Sequence, residues 1–356
     1  MYVGTIAKLC SGGECHFFER AYASMPRMGV LIFPTVVAIL ACVAAYIWGG
    51  LAALFTVALL AVLETTLSFD NAVVNAKVLQ RMEPVWQKRF LQWGIPVAVF
   101  GTRFVLPILI VAAAAGLGPY VVLKLAIFDP EQYGHYLESA HIAIASFGGI
   151  FLLLVSLKYF FNDRKTVHWI EIVERYLSRW GGIEAIEVAL ALLVLLVCAF
   201  LVPAKAATIL MAGLIGVILF IVIEGVAQAF EMQAGANLAK SSIALFVYLN
   251  ILDAAFSLDG VVGAFAITSN LTMIIAGLGI GALYVRSATV YLVRAQTLKN
   301  LPYLEHGAHW AIFGLALALI GSIFIHVPEP FTGFIGLGFI ALAYVSSRRE
   351  MRKLAL

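Results

Sequence analysis

The sequence predicts an all-α membrane protein of about ten transmembrane helices, arranged as a five-plus-five inverted repeat. Three observations lead there. The composition is too apolar for a water-soluble core, the basic residues segregate to one side of the apolar stretches, and one acidic motif occurs twice with an odd number of helices between its copies.

Of 356 residues, 63% are hydrophobic and 12% charged, with a mean hydropathy of +0.99. A soluble domain is roughly half apolar and about a quarter charged. Apolar stretches near the ~20 residues needed to cross a bilayer recur from Gly29 to the C-terminal tail. They must be helical, because each backbone polar group in hydrocarbon has to be satisfied within its own segment. A net charge of +3 without a basic stripe argues against nucleic acid as a partner. Cys42 and Cys198 fall inside apolar spans and read as small buried hydrophobes. Cys10 and Cys15 with His16 form a short cluster that lacks the second ligand pair of a zinc site. The first apolar run has no small-residue cleavage site leading into a soluble domain, so no cleavable signal peptide is expected.

A hydropathy window of about 19 residues centres the helices near residues 40, 65, 104, 150, 192, 217, 255, 281, 317 and 338. The chain then divides into a cytoplasmic segment 1–28, a transmembrane domain 29–347 and a cytoplasmic basic tail 348–356, with the repeats over about 29–202 and 206–347. Of the 23 Lys and Arg, 18 fall on the side of the N-terminus and only Lys124 and Lys205 on the other, while Lys77, Arg103 and Arg286 lie in or at the ends of spans. The positive-inside rule then places both termini in the cytoplasm, in a cell (inner) membrane. The stretch from Gly116 to Glu138 is apolar only in part and admits a re-entrant reading. Between the fourth and fifth spans, Trp169, Ile170, Val173, Tyr176, Leu177 and Trp180 recur at helical spacing amid Arg and Glu, as in an amphipathic helix on the cytoplasmic surface. Glu184 and Glu187 read as solvated residues of the membrane face.

The second span contains Glu64-Thr-Thr-Leu-Ser-Phe-Asp70-Asn71, and the seventh contains Asp253-Ala-Ala-Phe-Ser-Leu-Asp259-Gly260. Each copy has two acids six positions apart, with Ser68 or Ser257 two before the second. The likeness continues: the next span carries one Arg (Arg103, Arg286), and the one after opens with Ala-His (Ala140-His141, Ala308-His309). Copies that start five helices apart run in opposite directions through the membrane, the architecture of secondary transporters with midplane sites.

An ionisable residue at a helix centre costs roughly 2.5 to 3.5 kcal/mol to insert, so Glu64, Asp70, Asp253 and Asp259 call for a bound cation or protons. Two arginines, Arg103 and Arg286, cannot neutralise four carboxylates, and they read as charge compensation for the empty site. Six residues turn a straight helix through about 600°, so the paired acids do not share a face, whereas Glu64, Ser68 and Asn71 do. Either the helix is broken, which Gly260 and Gly263 make easier in the second copy, or Asp70 and Asp259 meet across a pseudo-twofold axis. Carboxylate, amide, hydroxyl and carbonyl oxygens suit Mg2+, Ca2+ or Mn2+ rather than copper, and metal entry into such a site expels protons. His141 and His309 are candidates to relay those protons or to ligate a softer metal.

The two motifs resemble those of the TerC-like integral membrane proteins, within the LysE transporter superfamily. The matching residues are Glu64, Leu67, Ser68, Asp70 and Asn71, then Asp253, Phe256, Ser257, Asp259, Phe265-Ala-Ile-Thr268 and Leu283-Tyr284 before Arg286. The resemblance implies a manganese or other divalent-cation exporter whose metal site is built from those acids. Gly260 departs from the pattern where the first copy has Asn71, removing one amide ligand.

The expected function is efflux of a divalent cation, Mn2+ or Ca2+, coupled to protons, with metal ligands Glu64, Asp70, Asn71, Asp253 and Asp259. No enzyme activity and no prosthetic group are expected; the partners are metal ions, protons and the bilayer, and homo-oligomerisation is left open. Two rivals stand beside it. A metal-binding scaffold of the tellurite-resistance type would bind without turnover. An intramembrane aspartyl protease would share a proton between two aspartates, but the Leu258-Asp259-Gly260 stretch lacks the glycines such enzymes carry before the second Asp.

Overall fold

Among the described residues every regular element is helical. The computed structural model describes residues 31–354 apart from 84, 88, 91–100, 102–104, 163–164, 166, 234–237, 269, 295–300, 326 and 328. Cys10, Cys15, His16 and Arg103 lie outside the described residues, and the side chains of Ser257 and Asp259 lie outside them too.

The first described helix is α1 (Ile32–Leu67), which is folded in two at Gly49 and Gly50. Gly50 has φ 67° and ψ −157°, a conformation open in practice to glycine alone. The two legs return alongside each other. Gly49 lies near Met273, whereas Thr35 accepts a hydrogen bond from the Tyr284 hydroxyl at 3.1 Å and Glu64 packs on Gly281. Small residues line the joint: Ala45 and Ala53 are buried together with Ala38, Ala41, Cys42 and Ala61 against them. Side chains of this size let helices approach closely where lipid supplies no hydrophobic drive.

After α2 (Phe69–Leu79) come three short helices, α3 (Leu106–Ala115), α4 (Pro119–Phe128) and α5 (Pro130–Ser139). Each is described over ten residues; for α4 and α5 that is about 15 Å of helix, too short for a hydrocarbon core of about 30 Å. Gly116 caps α3 at φ 66°, and Val122, Ala126, Tyr133 and Leu137 bury against Leu60 and Val261. The stretch 116–138 thus forms two short helices in place of one long span.

The centre is α6 (His141–Phe160), packed on α9 (Ala206–Gln233), α10 (Leu238–Ile267) and α12 (Leu304–Gly321). Gly149 lets α6 approach Ile320 of α12, where a β-carbon would come within 2.8 Å of the Ile320 side chain. Helix α7 (Glu171–Arg179) leads into α8 (Ile186–Leu201), α11 (Leu271–Arg294) covers both legs of α1, and α13 (Glu329–Leu354) packs on α12.

By length and composition five described helices can cross a membrane: Ile32–Leu67, His141–Phe160, Pro203–Gly225, Leu271–Val293 and Leu304–Gly321. A sixth forms if Glu171–Gly182 and Ile186–Leu201, bent by 106°, make one broken span. The expected number is larger for identifiable reasons. The stretches centred near 40 and 65 are the two legs of α1, the one near 104 falls largely outside the described residues, and α10 and α13 occupy the positions expected near 255 and 338.

Gly277 tests the close packing, since a β-carbon there would collide with Leu60. Gly277→Val should cost about 1–3 kcal/mol, read as a lower melting temperature in detergent. Gly225→Ala, where a β-carbon meets nothing, should leave it unchanged or raise it.

Candidate functional site

Helix α1 stops at Leu67 and the chain resumes as α2 at Phe69, leaving Ser68 at φ −101° and ψ 11°. The residues before the break weaken the helix locally. Thr65 and Thr66 turn their hydroxyls back to the carbonyls of Ala61 and Leu63, a pattern that bends helices. Ser68 then donates from Oγ to Glu64 Oε1 at 2.7 Å, and the Asn71 backbone N–H donates to Asp70 Oδ1 at 2.9 Å. Glu64, Ser68, Asp70 and Asn71 are all buried. The second copy behaves differently: α10 is continuous from Leu238 to Ile267, through Gly260 and Gly263. The helix is broken in the first copy, at Ser68, and not at the glycines that would make a break easier in the second.

Gly260 has another use. A β-carbon at this position would sit 2.7 Å from Glu64 Oε2, so the missing side chain is the space the Glu64 carboxylate fills. Seven residues earlier on α10, Asp253 Oδ1 accepts a short hydrogen bond from Asn71 Nδ2. These two contacts are reciprocal. Glu64 corresponds to Asp253 and Asn71 to Gly260 in the motif, so the first acid of each copy meets the last residue of the other. The sizes match as well: the longer acid faces glycine, and the shorter acid faces asparagine.

Donating to Asp253 fixes the Asn71 amide, and its Oδ1 has no hydrogen-bond partner among the described residues although Asn71 is 1% exposed. Asn75, one turn on and 2% exposed, has its Oδ1 in the same condition. Buried amide oxygens are ordinarily satisfied; two on one helix face beside carboxylates form a hard-oxygen donor set. No group of three or more His, Cys, Asp and Glu gathers into a metal-holding cluster among the described residues.

The other expected site residues lie apart. Arg286 is buried on α11 with its guanidinium 3.9 Å from the centre of the Phe90 ring. His141 opens α6. His309 stacks on Tyr159 with centroids 3.6 Å apart, and its Nδ1 lies 2.9 Å from its own helix's Glu305 carbonyl, leaving only Nε2 for a relay. Nearby, Lys77 Nζ pairs with Glu305 at 2.8 Å.

A second polar cluster had no signal in the motifs. Helix α7 exposes Ile172 and Tyr176, as an interfacial helix should, but its buried residue is Glu174. Glu174 Oε2 accepts from Lys165 Nζ at 2.9 Å and lies 2.7 Å from His306 Nδ1, while Oε1 accepts from Trp310 Nε1 at 2.9 Å. The backbone N–H groups of Trp169 and Ile170 also donate to it. Burial pushes the Glu174 carboxyl up, and the hydrogen bonds from His306 and Lys165 outweigh it, holding the group at about 2. A heptad reading of α7 sees only the apolar stripe, because one charged residue among several gives no periodic cue. Glu187, expected to be solvated, is likewise buried and paired with Lys158 at 3.0 Å.

A family model described as protein of unknown function (DUF475) matches residues 69–354. The uncharacterized membrane protein YceF of Bacillus subtilis (strain 168) is 29% identical over 117 residues, which cover 31% of this chain and 44% of the relative. The chain thus spans less than half the length of that relative. No solved structure matches.

Because the Glu174 carboxyl is held below its ordinary 4.5, the stability it contributes is complete above about pH 4.5 and is lost as pH falls toward about 2. Thermal melts of the detergent-solubilised protein should show this acid loss, and Glu174→Gln should flatten it. At neutral pH the same variant should cost about 3–5 kcal/mol, since His306 and Lys165 keep their places without the anion.

Proposed function

The chain belongs to the family described as protein of unknown function (DUF475), and for this integral membrane protein we propose transport of a divalent cation, Mn2+ or Ca2+, in exchange for protons. The observation that carries the reading is the reciprocal pairing of Glu64 with Gly260 and of Asp253 with Asn71. Two motif copies related by an inverted repeat would meet in this way across a pseudo-twofold axis, which is where such transporters bind their substrate.

Some other helix contacts are those a five-plus-five repeat would require, although the extensive α6–α9 packing has no counterpart of similar extent between α12 and α1. The twofold would exchange the α2–α12 pair with α10–α6, the α1–α13 pair with α9–α8, and the α12–α13 pair with α6–α8, and all six are packed pairs. Helices α6 and α12 would pair with each other on the axis.

The chemistry follows from the donor set. Glu64, Asp70, Asn71, Asp253 and Asp259 supply carboxylate and amide oxygens, the ligands of a hard cation. Charge on buried carboxylates is tolerable only when compensated. A divalent ion compensates it in one state and protons in the other, so loading the ion releases protons. Arg286 and Arg103 limit the charge that remains. The resemblance of the motifs to TerC-like proteins supports the same assignment, as does the poor fit of this oxygen-rich set to thiophilic metals.

Liposomes containing the purified protein, loaded with indicators for the ion and for pH, test this. Mn2+, Ca2+ and Mg2+ should be compared. Wild type should carry at least one of them with proton counterflow, and Asp70→Asn and Asp259→Asn should each reduce flux roughly tenfold or more. Normal binding with no movement of any of the three would discard transport of these ions in favour of a metal-binding scaffold.

A further inference from the structure

The contact between the two motif helices extends well beyond the acids. Glu64–Gly260, Asn71–Asp253 and the hydrogen bond of 3.0 Å from the Glu83 N–H to Ser242 Oγ run in opposite directions along α1–α2 and α10. The two segments are therefore an antiparallel pair in one register. In that register Asn75 falls opposite Leu249 and Asn250, one turn from the Asn71–Asp253 contact.

Both asparagines at this level have an oxygen to offer. Asn75 Oδ1 is buried without a hydrogen-bond partner among the described residues. Asn250 donates from Nδ2 to its own helix's Phe246 carbonyl at 2.7 Å, which turns its Oδ1 away from that carbonyl. Asn250 also precedes Asp253 by three residues and so shares its face of α10. Beyond this level the pairing becomes apolar, where Val78, Leu79 and Met82 bury against Leu245 and Leu249.

The polar level exists on one side only. The positions that the motif repeat equates with Asn75 and Asn250 are Ala264 and Ala61, and Ala264 is buried among Val261, Ile274 and Leu278. Next to the acids, the pairing thus has a polar level on the side toward the Arg81 end of α2, ahead of the apolar cluster, and none on the other side. A buried amide oxygen with no protein partner among the described residues, packed beside an apolar plug, is unfavourable unless something that passes there takes it.

We infer that Asn75 and Asn250 form a second station for the transported cation, between the carboxylate site and the apolar plug at the Arg81 end of α2. This rests on the transport reading above. The cation reaches or leaves the carboxylates by way of these two amide oxygens, which replace part of its water, and the plug closes the route in the state described.

Purified full-length protein should be titrated with MnCl2 and CaCl2 while its melting temperature is followed, and the same preparations assayed for Mn2+ flux in liposomes. Wild type should gain thermal stability with at least one ion. Asn75→Leu, close in volume but without the oxygen, should melt at or above wild type when ion-free, yet need roughly tenfold more ion for its shift and lose flux in proportion. Asn75→Asp, which restores an oxygen and adds charge, should recover binding and tighten it. Asn75→Leu with wild-type affinity and flux would overturn the second station while leaving the carboxylate site standing. A wild type that neither responds to nor moves either ion would overturn the transport reading, and the station with it.

Discussion

The antiparallel contact of α1–α2 with α10, tied where the Asn71 amide donates to Asp253, sets the positions of Glu64, Asn71 and Asp253 in the candidate site. A buried carboxylate without a partner is costly in hydrocarbon, and here the partner is an amide from the other motif copy. The amide can give its hydrogens to one acid and still present an oxygen to a cation. A lysine or arginine in its place would neutralise the acid and leave nothing to coordinate with.

Space for this contact comes from glycines on the helices opposite. Gly260 and Gly281 both face Glu64, and Gly277 faces Leu60 one turn away. The first leg of the site is therefore held by backbone surfaces rather than by side chains that could change rotamer. Interiors packed this closely deform little, so the Glu64 carboxylate has little room to move. The break at Ser68 adds to this, since its hydroxyl orients the Glu64 carboxylate and the chain restarts with Asp70 in the first turn of α2.

A separate constraint acts at the surface. Glu174 gathers donors from Lys165, His306, Trp310 and two backbone amides, and so fastens the interfacial helix α7 to α12. The same α12 carries Glu305, which pairs with Lys77 two residues after Asn75. The interfacial helix and the site helix are thus attached to one element, and a shift of α12 would be felt at both.

The sequence by itself determined the solvent: apolar composition required membrane helices, and the repeated acidic motif named Glu64, Asp70, Asn71, Asp253 and Asp259 as the residues to watch. Those signals are local or periodic, so one chain suffices to read them. The amphipathic pattern of α7 was legible for the same reason. Tertiary structure decided what depends on two distant segments meeting: that Gly260 is empty because Glu64 fills it, that the helix breaks at Ser68 rather than at Gly260, that α1 doubles back at Gly50, and that Asn75 and Glu174 matter at all. Each of these turns on a distance between residues far apart in sequence, and no spacing along a single helix encodes it.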